Sequence, residues 1–148
     1  MVEMKANLWE NFKKMPLILK FLTIHALACL FFLVSSIFPH NSFSVEGRAV
    51  SFLEWWTSGA GMLASIFGIL LPLSGFLLIK RAPLARLFYL SSMFIGFFSP
   101  MFFLDGSKYP SVYYLSSLAI VLLIAGYLFF GKTSKEYFTS KEGLHASA

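Results

Sequence analysis

Four stretches of the chain, residues 17–38, 57–79, 87–104 and 112–130, match the thickness of a bilayer's hydrocarbon core, and Lys20 is the one charged residue within them. Crossing ~30 Å at 1.5 Å per residue takes about 20 helical residues. In lipid, every backbone N–H and C=O needs a partner within the protein, so a run of this kind folds as a helix. Each run holds at least ten Leu, Ile, Val or Phe residues, and ten of these contribute about −3 to −6 kcal/mol to insertion. A charge at mid-span would offset most of that, and none is present.

Composition agrees with the pattern. Charged residues make up 13% of the 148, whereas a soluble domain carries about a quarter. The expected fold is therefore all-α: a single membrane domain over residues 1–148, built as a four-span helix bundle, with residues 131–148 as a tail. The first run reads as a retained span rather than a cleaved leader. It is longer than a leader's apolar core, and Ser35-Ser36-Ile37-Phe38-Pro39 offers no small-x-small cleavage site.

Orientation follows from the basic residues. Lys5, Lys13, Lys14, Lys20, Lys80, Arg81, Arg86, Lys132, Lys135 and Lys141 fall on one side of the four spans, against Arg48 and Lys108 on the other. The positive-inside rule puts both termini and the 80–86 loop in the cytoplasm, across a cell (plasma or inner) membrane. The net charge of +5 is thereby accounted for by topology, and nucleic acid is not expected as a partner.

The flanks carry their own signals. Asn7 followed by Glu10 reads as an N-cap with its N3 acid, opening a short helix that stops before Pro16. Its Leu8, Phe12, Met15 and Leu19 recur at helical spacing, as in an amphipathic helix lying on the inner leaflet. Ser51 and Glu54 form a capping-box pattern before the second span, and Trp55 and Trp56 follow at interfacial depth. Pro83 suits the first turn of the third helix. Thr133 with Glu136 suits a last turn carrying Tyr137 and Phe138.

The most ordered pattern lies in the second span. Gly61, Gly68 and Gly75 are spaced by seven, and Ser65 and Pro72 each follow a glycine by four. In lipid, helices associate where small residues let backbones approach. A seven-residue period keeps that face turned towards one partner. Ser92, Gly96 and Pro100 form a matching stripe on the third span, with Ala119 and Gly126 on the fourth. The second helix is expected at the centre of the bundle, packed within the chain or against a second copy.

Few side chains offer chemistry. His25 is the one ionisable group set well into a span, which makes it a candidate for ligand or proton handling. Cys29, the only cysteine, follows four residues later, but no further buried His, Cys or carboxylate completes a metal set. No metal or cofactor is expected, and the bland alternative is a neutral imidazole bonded to a neighbouring helix. On the outer side, Glu54 joins His40, Glu46, Arg48, Asp105 and Lys108 among Trp55, Trp56, Phe102, Phe103 and three tyrosines, a mouth suited to a small or lipidic ligand. A buried carboxylate for proton-coupled export and a cysteine pair for thiol oxidation are both missing. So are a nucleophile with its base and a phosphate-cradling glycine loop. The expectation is a non-catalytic membrane subunit that self-associates or binds other membrane subunits, with a small transporter or binding module as the alternative.

Overall fold

A computed structural model describes residues 2–39, 43–45, 47–99 and 110–139, with side chains from residue 8 onward. The fold is all-helical apart from a minimal hairpin. Three of its helical segments, Leu17–Ile37, Ala60–Ile79 and Ser111–Phe130, are long and apolar enough to cross a membrane.

Helix α1 runs over Val2–Lys14. It passes straight through Asn7, so the expected N-cap there is not used; Val2–Ala6 are compatible with helix and extend it towards the start of the chain. Pro16, extended at φ −56° and ψ 150°, separates α1 from α2 (Leu17–Ala28). Helix α3 (Leu30–Ile37) continues α2 across a tightened turn at Cys29. There the Cys29 N–H lies within reach of both the His25 and Ala26 carbonyls, and Phe32 N–H donates to the Cys29 carbonyl at 3.0 Å.

The segment between α3 and the next helix folds back as a hairpin, β1 (Ser44–Val45) antiparallel to β2 (Arg48–Ala49), with Val45 opposite Arg48. Phe43, 4% exposed, anchors it. Its ring stacks on Trp55 at 5.3 Å and tilts against Phe52 at 5.6 Å. Helix α4 (Phe52–Thr57) is capped by Ser51, whose hydroxyl accepts from the Glu54 N–H at 3.2 Å. Gly59 at φ +83° breaks the path between α4 and α5 (Ala60–Ile79), so the long helix of the second apolar run starts at Ala60 rather than Thr57.

Helix α5 is the axis of the fold. It packs against α2, α3 and α6 (Ala85–Phe98), with α4 at its N-terminal end and α1 near its C-terminal end. Helix α6 starts two residues after Pro83, and residues 100–104 of the third apolar run lie outside the described residues. Helix α7 (Ser111–Phe130) packs on α6, and α8 (Lys132–Thr139) folds back against the end of α7. The buried set, including Leu19, Leu22, Leu71, Leu78, Tyr89 and Leu128, gathers around the C-terminal half of α5.

Candidate functional site

The glycine positions of α5 meet the first apolar helix pair. A Cβ on Gly68 would stand 2.5 Å from the Leu33 Cβ and 2.8 Å from its Cα, with the Leu33 N also in its way. A Cβ on Gly75 would lie 3.1 Å from the Ala26 Cβ and 3.3 Å from the Thr23 carbonyl oxygen. Gly61, nearer the N-terminal end, faces the Trp55 indole instead. Pro72, partly buried, removes the donor that would otherwise pair with the Gly68 carbonyl, and α5 continues past it.

The third-span stripe does not meet these glycines. Gly96 of α6 packs on the Phe67 ring of α5, where a Cβ would come within 2.9 Å of Cε1. Pro100 lies outside the described residues. A stripe of small residues specifies that something comes close; it does not name the neighbour. Three serines of α5 and α6 settle their hydroxyls locally, whereas the hydroxyl of buried Ser36 has no hydrogen-bond partner among the described residues. Ser65 donates to Gly61, Ser74 to Leu71 and Ser92 to Phe88, each to a carbonyl of its own helix at 2.6–2.8 Å.

The two candidate chemical positions are well separated. His25 is exposed on the outward face of α2, whereas Cys29 is 5% exposed and turned into the bundle. Four residues turn a helix by only about 40°, so the two stand on neighbouring parts of one face, with the edge of the core falling between them. Among the described residues no group of three His, Cys, Asp or Glu is placed to hold a metal ion. Glu54 Oε1, on α4, accepts from Arg48 Nη2 of β2. His40, Glu46, Asp105, Lys108, Phe102, Phe103 and Tyr109 of the expected outer mouth lie outside the described residues.

At the opposite end the chain builds a denser site that sequence reading passed over. Helix α5 ends in a Schellman motif: Ala82 N–H donates to the Leu77 carbonyl and Arg81 N–H to the Leu78 carbonyl, both at 3.1 Å. Arg81 occupies the left-handed position at φ 55°, where glycine is usual. For an L-residue that conformation costs about 1–2 kcal/mol. Its guanidinium lies 4.4 Å from the centre of the Tyr137 ring on α8. The Tyr137 hydroxyl stands 3.3–3.4 Å from the carbonyls of Ile79, Leu78 and Asn11. A single O–H donates to one of these at a time; the Leu78 carbonyl already accepts from the Arg81 N–H, so the Ile79 carbonyl at the end of α5 is the one with most need of it.

Arg86 grips the other side of α8. Its guanidinium lies 4.9 Å from the Phe138 ring and 5.3 Å from Phe129, and Nη1 donates to the Leu128 carbonyl at 3.2 Å. The Ser134 hydroxyl donates to the same carbonyl at 3.0 Å. Burial pushes the Tyr137 phenol above its ordinary pKa, and the hydrogen bond and positive charge of Arg81 pull it back in part.

The signal for this collar was available only as Arg-rich and Tyr-Phe segments 59 residues apart along the Leu78–Tyr137 bond. Sequence spacing cannot pair segments so distant, and a Schellman motif without glycine leaves no mark. No family model, curated protein or solved structure matches the chain.

Proposed function

We propose that the chain is a non-catalytic subunit of a cell membrane. It crosses the bilayer four times with both termini cytoplasmic, lies among lipids, and acts by associating with other membrane subunits or with itself. Nucleic acid has no part in this reading, and no cofactor is required by it. The observation that carries it is the division of labour among the apolar helices. Helix α5 closes on α2 and α3 through backbone contact at Gly68, and its polar groups are spent within their own helices.

Helix α7 supports the same reading. Val112, Leu115, Leu122 and Leu123 are exposed, and a Cβ on Gly126 would meet nothing within 4 Å. In lipid such a face associates through van der Waals packing rather than hydrophobic expulsion. The third apolar run supplies the remaining crossing, with α6 as its inner part. Residues 2–14 form the interfacial helix, whose exposed Trp9 and Lys13 lie 5.4 Å apart at ring centre and ammonium.

Purification of the full chain in a mild detergent, followed by native mass spectrometry and crosslinking, tests this. A second copy or a co-purifying membrane protein is expected. Monomers alone, from both cells and reconstituted bilayers, would remove the assembly role.

A second reading, a binding or transport module for a small or lipidic ligand, draws on the aromatic cluster of Phe43, Phe52 and Trp55 beside the Arg48–Glu54 pair, and on the outward His25. It predicts that His25→Ala or Glu54→Gln weakens a ligand-dependent phenotype. An intact phenotype in both variants discards it.

A further inference from the structure

The collar has a chemical imbalance at Arg81. Two guanidinium nitrogens, Nε and Nη1, are enclosed by protein and have no hydrogen-bond acceptor among the described residues. A buried donor without an acceptor is costly, and more so on a charged group. The Tyr137 ring offers its π-face, not an in-plane acceptor for those nitrogens. The residue as a whole keeps partial exposure, so the guanidinium is open on one side.

Around it basic residues outnumber acidic ones, with Arg86, Lys80, Lys132 and Lys135 against Glu136 among the described residues. Arg86 is bound only to a backbone carbonyl and aromatic rings, while Lys80 and Lys135 sit over the Phe76 and Phe130 rings at 4.7 and 5.7 Å. The ion pairs resolved among the described residues, Lys13–Glu10 and Arg48–Glu54, do not involve this group. Holding an arginine in the left-handed conformation, where glycine would sit without strain, adds a second, independent oddity at the same residue.

We propose that the open edge of Arg81, flanked by Arg86, Lys80 and Lys135, is a binding site for a phosphate-bearing anion. The planar guanidinium presents parallel N–H donors that match two phosphate oxygens. Stacking on Tyr137 fixes the plane of that fork. The phosphate supplies the missing counter-charge and accepts from Nη2 and the one nitrogen that shares its edge. The anion can arrive as a lipid headgroup or as free phosphate. The headgroup source rests on the membrane reading above, because it requires this end of α5 to lie at headgroup depth; the anion chemistry itself does not.

The test uses the full chain purified in a neutral detergent. It is titrated separately with short-chain phosphatidylglycerol, short-chain phosphatidylcholine and inorganic phosphate, and bound species are counted by native mass spectrometry alongside thermal stability. Wild type is expected to retain phosphatidylglycerol over phosphatidylcholine. Arg81→Gln is expected to weaken that binding by about ten- to hundred-fold, the scale of lost charge-assisted hydrogen bonds. Lys132→Gln removes the same charge from an exposed position and is expected to change binding by less than about three-fold.

Arg81→Gly keeps the backbone conformation and is expected to be at least as stable as wild type without ligand, but to lose the stabilisation by phosphatidylglycerol. Binding of inorganic phosphate with equal loss in Arg81→Gln supports the site and assigns it to free phosphate. Three results overturn the proposal: no retention of either anion, equal weakening by Arg81→Gln and Lys132→Gln, or a Glu3→Gln/Glu142→Gln chain that loses stability only when Arg81 is present. The last would mean that the chain supplies its own counter-charge. Alkaline carbonate extraction separates this outcome from failure of the membrane reading, which would release the chain from membranes while leaving the phosphate titration interpretable.

Discussion

Replacing Gly68 with alanine is the sharpest probe of how the helices are held together. The added Cβ would meet Leu33 Cβ at 2.5 Å and Leu33 Cα at 2.8 Å. Two of the atoms in its way, N and Cα, are backbone and cannot swing aside. Restoring ordinary van der Waals contact needs the α5–α3 crossing to open by roughly 0.9 Å at that point. Over-packing of this kind costs about 1–3 kcal/mol. Alanine also favours helix over glycine by about 0.8–1 kcal/mol, which offsets part of that loss. Gly126→Ala supplies the reference, because its Cβ meets nothing within 4 Å and only the helix preference changes.

Unfolding free energies in mixed micelles, with the fraction of dodecyl sulfate as denaturant, give the comparison. Gly126→Ala is expected to be neutral or stabilising by up to about 1 kcal/mol, and Gly68→Ala to fall below it by about 1–3 kcal/mol. Equal effects of the two substitutions would refute the claim that backbone contact at Gly68 organises the bundle.

Three further outcomes follow from the collar and the loops. Tyr137→Phe removes the hydroxyl that stands within reach of the Leu78, Ile79 and Asn11 carbonyls, and should cost about 0.5–1.5 kcal/mol; hydrogen exchange over residues 132–139 should rise with it. Tyr137 also sets an alkaline limit. Its folded-state pKa is raised by burial, so the folded chain holds that proton more tightly than the unfolded one. The resulting stability is present below the unfolded value of about 10 and is lost as pH rises through the folded pKa. Alkaline unfolding curves should show this loss in wild type, and Tyr137→Phe should flatten it. Gly59→Ala forces an L-residue to φ +83° and should destabilise by about 1–2 kcal/mol in the same micelle assay, although nothing lies within 4 Å of the new Cβ.

Much of the helical layout was legible in the chain, because apolar runs of about 20 residues favour helix over other backbone arrangements. Residues 112–130 read as a helix and fold as Ser111–Phe130; residues 57–79 contain Ala60–Ile79. The break at Gly59 was less visible, since glycine in an apolar run is equally at home in a close helix contact. Asn7 misled for a related reason: a capping residue type marks a helix start only if the preceding residues resist helix, and Val2–Ala6 do not. Gly68 and Gly75 were legible as contact points, but their neighbours Leu33 and Ala26 were not, because small residues carry no record of what approaches them. His25 looked like the chemical centre of the first span and lies on its outward face. The collar of Arg81, Arg86, Ser134 and Tyr137 was hidden by sequence distance alone.

The third apolar run decides whether the chain crosses the membrane four times. In a Cys29→Ser background, single cysteines at Ser44, Pro83, Ser107 and Thr139 can be labelled in sealed vesicles and spheroplasts with a membrane-impermeant maleimide. Four crossings predict that positions 44 and 107 are labelled from outside, and positions 83 and 139 only from the cytoplasmic side. Labelling of position 107 from the same side as position 83 would contradict four crossings.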